Sequence, residues 1–178
     1  DDGKAESAFG AGAVQSLGRW IWQQVANGYM RPRGLNVAAE LLEYSLQDSP
    51  QNLGQVESAI PKIIASSELE MIINRIPNGE FTTWTSLADE VEFRSSPDLF
   101  AAFQRMRINY LGWKQGTQYD LHVYFEDTYT FHPQAIEADS LASFLATLGA
   151  NAAYLSQLLG AIHPYEVAVH LSVRRGDW

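Results

Sequence analysis

The sequence predicts an α+β fold, with N-terminal helices packed on a mainly antiparallel sheet formed by the C-terminal half. Three observations carry this expectation. Apolar residues recur at helical spacing through about residue 79. After Gly79 the period drops to two, the spacing of a half-buried strand. Two such runs, "RINYLGW" and "QYDLHVYFED", flank Lys114 to Thr117, where Gly116 supplies a hairpin turn. With 178 residues and no evident linker, the chain is expected to form a single domain, 1–178, mostly helical over 1–79 and mostly strands with one helical excursion over 80–178.

The elements follow in order. Residues 1–10 are a small-residue lead-in. Val14, Leu17, Ile21 and Val25 then share one side of a helix from about Ala11 to Ala26, flanked by Trp20 and Trp22. Asn27-Gly28 is a stop signal, and "YMRPRG" is a turn broken by Pro32 and Gly34. Asn36 is placed to cap the next helix, which carries Val37, Leu41, Leu42 and Leu46 to about Gln47. "QDSPQNLG" is a loop. Ile60, Ile63 and Ile64 make an apolar patch, with Pro61 near its first turn. "SELE" has capping-box spacing, with Ser67 and Glu70 reciprocating. Leu69, Ile72, Ile73 and Ile76 give that helix its apolar side, and Pro77-Asn78-Gly79 ends it. "EFTTWTSL", rich in Thr and aromatics, reads as a strand, and Val91 with Phe93 suits another short one. "SSPDLFAAFQR" fits either a short helix capped by Ser96 or an extended segment. After the hairpin, Asp139 to Leu159 is helical, and Gly149 is where it can break in two. "YEVAVHLSVRR" closes the chain as a strand, with Val167, Val169, Leu171 and Val173 on one face and Glu166, His170 and Ser172 on the other.

Composition narrows the function. Hydrophobic residues make up 46%, a globular proportion. A formal charge of −9, from 12 basic against 21 acidic residues, argues against nucleic-acid binding, which relies on Lys and Arg neutralising many phosphates. It also disfavours attraction to anionic lipid headgroups. The absence of cysteine removes thiolate catalysis, Cys-based zinc sites and disulfides. No apolar run reaches the roughly 18–20 residues of a transmembrane span. The chain opens at Asp1-Asp2-Gly3-Lys4 with neither Met nor a signal peptide, which reads as a processed or trimmed piece of a longer protein.

Chemistry concentrates in "LHVYFEDTYTFHP". Leu121, Val123 and Phe125 fall on one face of a strand, and His122, Tyr124 and Glu126 on the other. Asp127, Tyr129 and His132 then arrive where a strand gives way to a turn. Carboxylates can hold a divalent cation or move a proton, and a nearby imidazole or phenol can share that work. The same residues also suit the polar mouth of a sheet, with Asp127 capping a turn and Tyr129 packed on the rim. His122 and His170 both occupy polar strand faces and approach one another if those strands are neighbours. His163, before Pro164, belongs to a loop. Glu40 and Glu43, three apart on a helix, can offer two oxygens to one ion or form a solvated face. Arg31 and Arg33 can hold an anion or stiffen their turn. The chain has no Gly-rich phosphate loop, HExxH, GxSxG or EF-hand loop.

A hydrophobic strand running into Asp-x-Tyr-x-Phe, in "YDLHVYFEDTYTF", resembles the active strand of colicin M-type bacteriocins and of C-terminal domains of bacterial polymorphic toxins. The later "HPYEVAVHLSV" and the upstream "EFRSSPDLFAAFQRMRINYLGW" are similar in arrangement, so the likeness spans roughly residues 80–174. The family signature continues with a second Asp, where this chain has Thr130, and with a His-Arg pair, where it has Ile136-Glu137. The resemblance implies an antibacterial toxin that hydrolyses a lipid-linked pyrophosphate such as lipid II, secreted or delivered to the target-cell periplasm. It implies Asp127, Tyr129 and His132 as catalytic residues, with Asp127 and Glu126 holding a divalent metal, Mg²⁺ or Ca²⁺. A pyrophosphate beside acidic residues requires such a cation. The partners implied are a cell-wall precursor and an immunity protein. The alternative is a non-catalytic module that binds a protein partner through its polar sheet face and exposed aromatics, as an immunity, adaptor or receptor-binding domain.

Overall fold

Helices dominate the N-terminal part of the chain and a five-stranded antiparallel sheet occupies the C-terminal half, the α+β arrangement expected. A computed structural model describes residues 2–80, 82–103, 105–131 and 141–176, with side-chain surroundings described outside 2–11 and 141–148. The helices are α1 (Asp2–Gln24), α2 (Asn36–Ser45), α3 (Ile60–Ile64), α4 (Ser67–Arg75), α5 (Pro97–Ala102) and α6 (Leu141–Leu158). The strands are β1 (Gly79–Glu80), β2 (Thr85–Ser86), β3 (Arg107–Gln115), β4 (Gln118–Tyr129) and β5 (Tyr165–Arg175). Among the described residues no helix is long and apolar enough to cross a membrane.

These elements divide into two compact units. Unit 1 comprises Asp1–Arg33, Ala39–Gln51 and Tyr129–Tyr165; unit 2 comprises Gly34–Ala38, Asn52–Thr128 and Glu166–Trp178.

In unit 1, Ala26, Ala39, Leu42, Leu46, Ala153 and Ile162 form a buried cluster, with Trp22, Val25, Met30 and Phe131 packed against it. The Trp22 indole N–H donates to Ser156 Oγ at 2.9 Å. Most of the apolar side expected of α1 does not pack: Val14, Leu17 and Ile21 are exposed, as is the flanking Trp20, and of that side Val25 alone is packed against the cluster. Contact runs instead through Gly18, where an added Cβ would lie 2.9 Å from Ala161 Cβ, and on to Trp22 and Val25. One position along a helix turns the face by about 100°. The small Gly18 suits this phase, because there the backbone comes close to Ala161. Asn27-Gly28 does not stop the helix, which widens into a π turn over Val25–Met30 and tightens into a 3₁₀ turn over Arg31–Arg33. Gly149 leaves α6 continuous.

Unit 2 holds the sheet, ordered β1-β3-β4-β5, with β2 also on β3. β3 and β4 pair from Arg107↔Glu126 to Gln115↔Gln118, as the alternation implies, and Gly116 at φ +61° makes the turn. Ile108 and Tyr110, then Leu121, Val123 and Phe125, then Val167, Val169 and Leu171 are the buried residues of one face. Gly112 opposite Leu121 has φ +136°, and a Cβ there would meet the Asp120 carbonyl oxygen at 2.1 Å, so the ladder closes only over glycine. Lys114 reaches from β3 to the Ile76 carbonyl at the end of α4, 2.9 Å away. "EFTTWTSL" is not one strand; it bends at 82–83 and contributes two short pairings to β3. Val91 makes a single bridge to Met106.

Helix caps in unit 2 depart from local expectation. Ser66, not Ser67, caps α4, its Oγ accepting from Leu69 N at 3.2 Å. Glu68 turns away to accept from the Ser95 backbone N–H at 2.7 Å and from Ser95 Oγ. Burial pushes the Glu68 carboxyl up, but those hydrogen bonds outweigh it and hold the group below its ordinary value. Ser96 caps α5, which resolves "SSPDLFAAFQR" as helix. The first turn of α2 is held from afar: the buried Asp98 carboxylate accepts from Val37 N and Ala38 N, both at 3.0 Å. Lys62 Nζ pairs with the same carboxylate and donates to the Gly34 carbonyl at 3.3 Å.

A buried carboxylate with three donors cannot be removed cheaply. Asp98→Ala is expected to destabilise the protein by about 3 kcal/mol, since Lys62 and two helix N–H groups lose their partner. Asp98→Asn keeps an acceptor and should fall between. Urea unfolding measures both, and a midpoint for Asp98→Ala matching the wild type would show that the carboxylate does not hold the helix terminus.

Candidate functional site

The residues singled out around β4 scatter in their surroundings. In unit 2, Glu126 pairs with Arg107 at 3.4 Å. Asp127 is half-buried within β4 rather than at a turn, and its Oδ1 accepts from the N–H of the next residue, Thr128, at 2.7 Å. His132 lies outside the described residues. Tyr129 belongs to unit 1 and is buried. Its ring stacks on Tyr165 at 5.2 Å and meets the Phe131 ring edge-on at 5.4 Å. Tyr165 in turn donates its hydroxyl to the Leu41 carbonyl at 2.9 Å and lies edge-on to Tyr44. Tyr129 is therefore sealed among packed rings rather than presented in an open hollow. Among the described residues no three His, Asp or Glu side chains gather where they could hold a metal ion.

Other candidates in unit 1 are occupied locally. Glu43 accepts from Gln23 Nε2 at 2.8 Å and from Arg31 Nη2 at 2.6 Å. The Arg33 guanidinium lies 3.9 Å over the Tyr29 ring.

The outer face of the sheet in unit 2 is where polar strand positions come together. His122 and His170 do approach, with ring centres 5.7 Å apart, and Ser172 Oγ lies 2.9 Å from His122 Nδ1. Beside them is an open hollow of about 680 Å³ lined by Gly54, Gln55, Trp84, Asn109, Tyr124 and His170. Trp84 is 50% exposed. It stands at 66° to Tyr124 and at 69° to His170, with ring centres 6.3 and 5.9 Å away. Asn109 and Tyr124 face each other across β3 and β4, so the pairing register sets them side by side. Gln55 holds the edge of β5 by accepting from His170 N at 2.8 Å and donating to the His170 carbonyl at 3.0 Å.

Sequence reasoning identified His122, Tyr124 and His170 as a polar face but missed Trp84, Gln55 and Asn109 as their neighbours. The available signal was an indole inside a Thr-rich run: a Trp among four Thr and Ser residues has no apolar neighbours of its own to pack with. No protein-family model matches the chain, and neither a curated protein nor a solved structure is similar to it.

The buried phenols give the protein a pH signature. Burial raises Tyr129 above its ordinary 10.0; burial, then the neighbouring Tyr129, Tyr44 and Glu40, raises Tyr165. Both remain neutral in the folded protein at pH values where the unfolded chain ionises. Their contribution is thus intact below the unfolded value of 10.0 and is lost as pH rises beyond it. Tyr129→Phe is expected to move the alkaline unfolding midpoint upward, read by circular dichroism across pH 9–12; a midpoint unchanged or lowered would place the phenol in water.

Proposed function

We propose that this chain is a non-catalytic recognition domain whose binding site is the aromatic hollow on the outer sheet face of unit 2. The observation that carries this reading is Trp84: a large apolar ring, half in solvent, standing beside Tyr124 and His170 in a concavity. Exposed indoles are costly to hydrate, and grouped with other rings they characterise recognition surfaces more than surfaces at rest. The hollow has the size range of a small-molecule or side-chain site, and three of its six lining residues, Asn109, Tyr124 and His170, stand on strands of the sheet.

The reading of a metal-dependent hydrolase acting on a lipid-linked pyrophosphate draws its support from the Asp-x-Tyr-x-Phe pattern and the arrangement of the segments around it. It needs an acid and a phenol facing one water-filled space with a cation between them. The buried Tyr129 and the ion-paired Glu126 give that mechanism less to work with than the hollow gives a binder.

Titrating the full chain with phenol and tert-butanol under NMR observation tests the recognition reading. Shifts are expected to cluster at residues 54–55, 84, 109, 124 and 170. Trp84→Ala is expected to weaken probe binding about tenfold while leaving the fold intact, because the ring is exposed. Shifts spread evenly over the surface, or unaffected by Trp84→Ala, would remove the hollow as a binding site.

A further inference from the structure

We infer that the hollow takes a methylated ammonium group; this rests on the recognition reading above and assigns its ligand class. The walls offer no amide oxygen that is not already accepting a hydrogen bond. Both functional atoms of the Gln55 amide are engaged with the backbone of His170. The Asn109 carbonyl oxygen accepts from Ser86 Oγ. A sugar would bring many hydroxyl donors to a site whose two amide oxygens each already accept a hydrogen bond, and each hydroxyl desolvated without a partner costs free energy. A primary ammonium has the same difficulty, since it is strongly hydrated and carries three donors. A fully methylated ammonium carries none.

Trp84, Tyr124 and His170 are mutually inclined at 66°, 69° and 57°, with ring centres 5.9 to 6.4 Å apart. A flat ligand stacks on one ring or between parallel rings. Steeply inclined rings instead make walls, and a rounded cationic group can meet several of them at once. The face of an aromatic ring carries partial negative charge, so such walls attract a cation without any carboxylate.

None of the six lining residues is Lys, Arg, Asp or Glu, so no fixed cation repels the ligand. The chain as a whole carries −9, which draws cations toward it. A trimethylammonium group fills only a small part of about 680 Å³, which leaves room in the open hollow for a longer molecule attached to it. A choline headgroup and a trimethylated lysine side chain share this chemistry.

Choline and its neutral carbon counterpart, 3,3-dimethylbutanol, separate cation recognition from simple apolar burial. NMR titration of the full chain is expected to show choline shifting Trp84, Tyr124 and His170, with 3,3-dimethylbutanol binding at least tenfold more weakly. Trp84→Ala should abolish the choline shifts, and Trp84→Phe, which keeps a ring, should retain part of them. A trimethyllysine peptide and phosphatidylcholine vesicles, used as separate arms, then identify the source; binding to either one supports the inference. Equal binding of the two isosteres overturns it and leaves an apolar recognition site standing. No choline shift, with phenol still mapping to the hollow, overturns it in the same way. Absence of both responses removes the recognition reading as well.

Discussion

One carboxylate organises the interior of unit 2. Asp98, in the first turn of α5, receives the opening N–H groups of α2 and the ammonium of Lys62 in α3. Three stretches of chain, around residues 34–38, 62 and 98, therefore end on a single pair of oxygens. The arrangement is stable because each partner corrects a defect in another. The first turn of a helix has donors without intrahelical acceptors and a partial positive charge, and both favour an anion there. A buried carboxylate needs donors in return, and the Lys62 charge completes the neutralisation.

Glu68 repeats the principle a few residues away. It receives the N–H and hydroxyl of Ser95, fixing the chain just before α5 begins. With Asp98 and Glu68 both turned inward, the first turns of α4 and α5 and the segment between β2 and β3 are tied together by side chains rather than by regular pairing. The inner face of the sheet can then be mostly hydrocarbon: Ile108, Leu121, Val123, Phe125 and Val169 are all buried, and Phe93 tilts against Phe125 with ring centres 5.6 Å apart. Most polarity is thereby segregated, with inward carboxylates in the first turns of α4 and α5 and the imidazoles of His122 and His170, the Asn109 amide and the Tyr124 phenol on the outward strand positions.

That segregation is what makes the outer face available for recognition. A strand that buries alternate residues must turn the others outward, so Tyr124 and His122 face solvent because Val123 and Phe125 do not. β5 brings His170 and Ser172 to the same surface, and the bend before β2 brings Trp84. Gln55 then holds the backbone of His170 by its side-chain amide, so the edge of β5 is occupied at that point. Unit 1 follows a different logic. Its α1 meets Ala161 at Gly18, and its stacked Tyr129 and Tyr165 fill interior space.

Local pattern determined a good deal by itself. The α+β class, the hairpin at Gly116, the alternation of β4 and β5, Pro61 in the first turn of α3 and the helix after residue 140 follow from side-chain period and turn chemistry, which operate over a few neighbouring residues. The approach of His122 to His170 was legible only as a conditional, because it needed the strand order. The rest belonged to tertiary structure. Asp98 capping a helix some sixty residues earlier, Gly18 meeting Ala161, Tyr129 buried on Tyr165, and Trp84 meeting Tyr124 are all encounters between distant segments. Such encounters are selected by packing and by the pairing of buried polar groups across the whole fold, and no window of sequence contains both partners.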